Sequence, residues 1–160
     1  TVIQGVVDQV ADCTGECVEV AFDHAIFGAA HVDLQIGIEL AASLRHGSLI
    51  SLVGQLGAGK TTLVKGIGKG LLITDLIVSP SYVIARGYEG RLPLHHIDAY
   101  RISSLEEFAE IGLDELLPPE RGVSVVEWPE RIDGLVEISD VLVQIEMTDD
   151  EARQVHIQTR

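Results

Sequence analysis

A chain of 160 residues, 46% of them hydrophobic, is long enough to bury one substantial core and reads as a single domain over 1–160, with 1–30 a poorly defined N-terminal segment. Acidic residues number 25 against 11 basic, a formal net charge of −14, so the surface repels nucleic-acid phosphates and direct binding of DNA or RNA is not expected. No apolar run approaches the roughly 20 residues of a membrane span and no signal peptide is read, so the expectation is a cytoplasmic protein without membrane association.

In chain order, Val2-Ile3 with Val6-Val7, and then residues 17–22, read as short strands, with Thr14-Gly15 as a turn between them. Cys13 and Cys17 are the only cysteines. Their C-x-x-x-C spacing is not the C-x-x-C of redox motifs and no set of four zinc ligands is evident, so two reduced thiols are expected. Residues 32–45 read as a helix with Leu34, Ile38 and Ala41 on one face, ended by His46-Gly47. Residues 49–53 form the central strand. Residues 61–71 form a helix with Leu63, Ile67 and Leu71 inward, made weak by Gly66, Gly68 and Gly70. Ser79-Pro80-Ser81 breaks the pattern. Residues 82–88 and 92–97 then read as a hairpin around Glu89-Gly90. Ser104-Leu105-Glu106-Glu107 is a capping box that opens a short helix through Ile111, and Pro118-Pro119 closes the segment after it. Residues 123–126 form a strand ending at Glu127-Trp128, and 141–146 and 155–158 are closing strands. The sum is an α/β fold with a mixed, mainly parallel central sheet and antiparallel hairpin additions.

The junction of central strand and helix carries the strongest signal. Gly54-Gln55-Leu56-Gly57-Ala58-Gly59-Lys60-Thr61 fits the phosphate-loop pattern G-x-x-x-x-G-K-[ST], and Thr62 follows it. Glycines let the backbone turn its N–H groups onto phosphate oxygens, and the helix beginning near Lys60 adds its positive end. Lys60 is a compact charge for the terminal phosphates, and the Thr61 hydroxyl is placed for magnesium. Lys60, Lys65 and Lys69 are the only lysines, so positive charge is concentrated where a nucleotide would sit.

Such a loop needs a second carboxylate, and two positions qualify. Asp98 follows the run 94–97, and Glu127, which follows 123–126, is the better match to an apolar strand ending in an acid. One holds the metal directly or through water and the other orients the attacking water; either is otherwise a solvated strand end. Ser79-Pro80-Ser81-Tyr82 stands where GTPases and related proteins place a γ-phosphate-sensing switch, and the alternative is a plain turn. His95 and His96 are adjacent and face opposite sides of a strand, one for packing and one toward the site. Trp128 is either a core anchor or a wall of the site, and Arg101 either pairs with Asp98 or acts in catalysis. There is no N-K-x-D guanine motif and no lid with paired arginines.

In order and spacing, Gly54 to Thr62, Ser79 to Tyr82, His96-Ile97-Asp98-Ala99-Tyr100-Arg101 and Val126-Glu127-Trp128 resemble the bacterial TsaE (YjeE) family over residues 30–160. That resemblance implies a P-loop α/β sandwich and an ATPase of tRNA threonylcarbamoyladenosine synthesis. It implies ATP and Mg2+ as cofactors, TsaB and TsaD as partners, and tRNA met only through their complex. Carried over residue by residue, Lys60 and Thr61 bind phosphates and magnesium, Glu127 is the second metal-site acid, Asp98 is an acid needed for turnover, and Ser81 lies in the switch-like segment. Gln55 departs from the family's usual Asp or Glu, Ser81 replaces a usual Thr, and residues 1–15 look like an extension.

The leading expectation is an ATP-hydrolysing accessory subunit, slow without partners. The alternatives are a small-molecule phosphotransferase, for which no acceptor pocket or lid is read, and a nucleotide-gated interaction protein with negligible turnover.

Overall fold

The structure, a computed structural model, describes residues 17–20, 29–147 and 153–160. The expectations for Val2-Ile3, Val6-Val7, Cys13 and Thr14-Gly15 lie outside them. Among the described residues the strands are β1 (Cys17–Val20), β2 (Leu49–Gly54), β3 (Ala85–Tyr88), β4 (Leu94–Asp98), β5 (Val123–Glu127), β6 (Val141–Met147) and β7 (Arg153–Thr159). The helices are α1 (Ala29–Ala41), α2 (Lys60–Gly70), α3 (Leu105–Glu110) and α4 (Leu135–Ile138), with a 3-10 turn at Pro129–Arg131.

The strands form one sheet in the order β1-β7-β6-β2-β5-β4-β3. Its centre is parallel: β2 pairs with β5 and β6, and β4 with β5. Antiparallel strands complete both sides, β3 on β4 and β7 on β6, with β1 on β7. The sheet is therefore mixed, as the sequence pattern predicts. The hairpin forms too, but its first strand starts only at Ala85. Before it the backbone turns, Pro80 O accepting from the N–H groups of Val83 and Ile84.

Alternation along the parallel strands divides the core. On one face Ile50, Leu52, Leu94, Val123, Val125, Val143 and Ile145 meet Leu63, Val64 and Ile67 of α2 and Ile36 of α1. On the other, Leu49, Ile97 and Val126 meet Phe108 of α3, Ile132 and Leu135. Fully burying one such side chain contributes about 1.5–3 kcal/mol.

The first helix differs from expectation. It ends at Ala41, where Ala42 and Ser43 bond three residues back, to the carbonyls of Glu39 and Leu40, and tighten the last turn. Its buried residues include Asp33, Ile36, Gly37 and Ala41, the last as expected, while Leu34 and Ile38 are only half-buried. The cause is the partner helix. A Cβ on Gly37 would lie 2.2 Å from Leu63 O, and one on Gly66 would lie 2.1 Å from Leu34 O, so α1 and α2 touch backbone to backbone through glycine. Two of the glycines that weaken α2 by propensity, Gly66 and Gly70, are what allow this approach. Helix α3 starts as predicted, with the Ser104 hydroxyl accepting from the Glu107 N–H at 3.2 Å. The return bond is displaced by one residue: Glu107 Oε2 accepts from the Ser103 N–H and hydroxyl, which hold its carboxyl below the usual range.

Candidate functional site

The parallel strands β2, β5 and β4 end side by side. Leu52 stands opposite Glu127, and Glu127 opposite Asp98, so the last residues of β5 and β4 are brought level with the strand two residues before the glycine loop. Open α/β sheets bind ligands at such carboxyl ends. Alternation puts His96, Asp98 and Glu127 on the sheet face that α2 covers.

The loop depends on its glycines. Gly59, the residue before α2, has φ of 113°, a conformation that favours glycine. At Gly54 a Cβ would meet Ile145 O at 2.6 Å, so a side chain would push the loop off β6. Within the loop the Ala58 N–H donates to Gln55 O at 3.1 Å, and Ala58 is buried. Gln55, Leu56 and Gly57 are exposed, Gly59 and Thr62 half-buried.

Lys60 is buried and folds back along the loop. Its Nζ donates to Gly54 O at 2.5 Å and to Gln55 O at 2.9 Å, and lies 3.8 Å from the centroid of the Trp128 ring. Burial pulls the Lys60 ammonium below its usual pKa, opposed by the carboxylates of Glu127, Glu130 and Asp98. Trp128 is thus a wall of the site, the second of its two sequence readings. It follows Glu127 in a left-handed conformation (φ 62°), which re-aims the chain, and Tyr100 covers it with ring centroids 5.1 Å apart. The Arg131 guanidinium lies over the Tyr100 ring in turn, 5.2 Å from its centroid.

Thr61 and Glu127, 66 residues apart in the chain, meet: Thr61 Oγ1 donates to Glu127 Oε1 at 2.9 Å. The same oxygen is 2.8 Å from His96 Nε2. Asp98 does not join this pair. Its Oδ2 accepts from Ser81 Oγ at 2.5 Å and its Oδ1 from the Tyr100 N–H at 3.0 Å. Ser79 Oγ bonds Ser81 Oγ at 2.6 Å, so the Ser79–Ser81 segment is tied to the strand end by its hydroxyls. Asp98 is therefore no solvated strand end. Arg101 does not pair with it; the Arg101 guanidinium lies over the Tyr82 ring, 5.0 Å from the centroid.

The two histidines divide as adjacent strand residues must. His95 faces away and meets Arg121 O at 3.1 Å, while His96 is fully buried against Glu127. Sequence reasoning does not single out His96 as the partner of Glu127. The available signal is parity: His96 and Asp98 are two apart on one strand and so share a face. Together the site offers hard oxygen donors from Thr61, Glu127 and Asp98, one ammonium and an aromatic wall.

Residues 30–155 match the family model described as "Threonylcarbamoyl adenosine biosynthesis protein TsaE". A Nostoc protein named tRNA threonylcarbamoyladenosine biosynthesis protein TsaE is 46% identical over 106 residues, 62% of this chain and 63% of that protein. A Treponema pallidum protein of the same name is 38% identical over 121 residues, 76% of this chain and 89% of its own length. The crystal structure of YdiB from Bacillus subtilis superposes with a TM-score of 0.70 at 27% identity, covering 92% of this chain and 88% of that one. The chain thus spans less than two-thirds of the Nostoc relative's length.

Proposed function

The chain belongs to the TsaE family, and on that premise we propose that it is a magnesium-dependent ATPase acting with the TsaB–TsaD pair in tRNA threonylcarbamoyladenosine biosynthesis, in the cytoplasm. The observation that carries the reading is the 2.9 Å bond from Thr61 Oγ1 to Glu127 Oε1. It unites the last position of the phosphate-loop motif with an acid ending the neighbouring parallel strand. By giving its hydrogen to the carboxylate, the Thr61 hydroxyl keeps lone pairs for a cation. A hydroxyl and a carboxylate are hard donors that fit magnesium, which takes few protein ligands and shares the rest with phosphates and water. Among the described residues no three His, Cys, Asp or Glu side chains gather to hold an ion without such help.

In this reading the backbone of Gly54 to Thr62 cradles the phosphates, and Lys60 supplies charge to the terminal ones. Magnesium, which Thr61 and Glu127 would hold, would supply charge neutralisation on the phosphates. Asp98 holds Ser81 and with it the switch-like segment, and its remaining acceptor capacity is available to a water. Asp98→Asn keeps the size and much of the hydrogen bonding but removes the charge. Turnover is expected to fall about tenfold, some 1.4 kcal/mol in the barrier, while nucleotide affinity changes by less than about threefold. Steady-state kinetics beside calorimetric binding checks this, and equal losses in both would assign Asp98 to ground-state binding.

The partnership is tested by association with TsaB–TsaD in ATP, ADP and a non-hydrolysable ATP analogue. A ligand shifts an assembly only through its different affinity for two states, so ATP and ADP must support the complex unequally. Association identical in both, with tRNA modification proceeding equally without this chain, would remove the proposed role.

A further inference from the structure

We propose that His96 is a positioning residue that fixes the Glu127 carboxylate for magnesium; this rests on the nucleotide-binding reading above. The position is one an aliphatic side chain would suit. His96 stands opposite Val125 on β5, which stands opposite Ile50 on β2, and all three are fully buried on the face that α2 covers. His96 nevertheless brings two polar nitrogens into that layer. Its Nε2 lies 2.8 Å from Glu127 Oε1, and its buried Nδ1 has no hydrogen-bond partner among the described residues. A buried nitrogen left without a partner has lost its water and gained nothing in exchange, a cost to folding that an aliphatic replacement would avoid. The residue is poor for the core, and among the described residues its one side-chain polar contact is to the site.

That contact has a defined consequence. An ionised carboxylate only accepts, so Nε2 carries the proton and donates. The terminal torsion of a glutamate is broad and poorly held by its own chain. Two donors converging on a single oxygen, Thr61 Oγ1 and His96 Nε2, remove that freedom, so that a cation, when bound, would draw on the other oxygen, Oε2. Thr61 leaves with the first turn of α2 if the loop moves, whereas His96 sits on the sheet. His96 is therefore the bond that holds Glu127 in place independently of the loop. Losing such an outer partner typically costs 10–100-fold in metal affinity.

The test is ADP affinity measured by calorimetry in magnesium and in EDTA, for the parent, His96→Gln, His96→Asn and His96→Leu, with melting curves for each. A Gln amide nitrogen matches the reach of Nε2, whereas an Asn amide stops at the level of Nδ1. The expected result is that Leu and Asn lose about tenfold of the magnesium-dependent gain, with EDTA affinity unchanged, and that Gln keeps the gain within about threefold. If the Leu variant does not fold, the Gln and Asn pair decides, since both bury an amide. Asn and Leu keeping the full gain, or Gln losing as much as Asn, would overturn the positioning role and leave the proposed function standing. A parent with no magnesium-dependent gain would overturn the positioning role, and a parent with no nucleotide affinity would overturn the proposed function as well.

Discussion

Lys60→Ala is expected to weaken nucleotide binding about 100-fold while leaving the melting temperature unchanged or higher. A hydrogen bond to a charged group contributes about 1.5–3 kcal/mol when it replaces one to water, and 100-fold corresponds to about 2.7 kcal/mol. The same ammonium gives the fold little. It is buried, its pKa is lowered by that burial, and its partners are two loop carbonyls and the Trp128 face. The sign follows from linkage. Between the lowered folded-state value and the unfolded value of 10.5, the unfolded chain holds the proton and the folded chain does not. Stability therefore rises as pH increases through that window, and below it the cost of burying the charge is carried in full. Alanine removes that cost and flattens the alkaline limb of the stability curve. Calorimetric affinity and melting curves across alkaline pH check both parts. A variant that binds ADP like the parent removes Lys60 from the phosphate site.

Gly66→Ala is expected to lower stability by about 2–3 kcal/mol, although alanine is the better helix former. Propensity alone favours the substitution by about 1 kcal/mol in a helix interior. Against it stands the new Cβ, 2.1 Å from Leu34 O and 3.0 Å from the Gly37 Cα. Both neighbours are backbone, so neither rotates away, and α1 must lift off α2. Overpacking of this kind costs about 1–3 kcal/mol and sometimes more, here with loss of contact around Ile36, Leu63 and Ile67. For a chain of this length each kcal/mol lowers the melting temperature by about 2–4 °C. Gly87→Ala is the control: a Cβ there would meet nothing within 4 Å, and a change within about 0.5 kcal/mol is expected. Gly66→Ala melting with the parent would show that the helices are not in backbone contact.

Both residues show how far the chain can be read before folding. Lys60 belongs to a local pattern. Strand, loop and helix are contiguous, so spacing alone places the lysine, the threonine and the glycine turns. Gly66 illustrates the opposite limit. Helix propensity counts it as a weakness, and its use appears only when a second helix, about thirty residues earlier, lies against it. The apolar pattern mis-phases the first helix for the same reason, since Gly37 carries no hydrophobic signal although it marks the contact face. Trp128 and Arg101 have two sequence readings each because a side chain's neighbours across the sheet are not written in its own segment.

The sequence by itself determined the α/β class, the phosphate-loop geometry and the two acids at strand ends, because each rests on residues close in the chain and on the two-residue and 3.6-residue periods of strand and helix. Only the tertiary structure decided which hydroxyl each acid meets. Glu127 and Asp98 end similar runs, and the order of strands separates them: β5 lies beside β2 and brings Glu127 to Thr61, while β4 lies one strand further and leaves Asp98 to Ser81. Strand order is set by which apolar faces bury best together, a property of the whole sheet. The same sheet brought His96 against Glu127, joining residues 31 apart through one hydrogen bond.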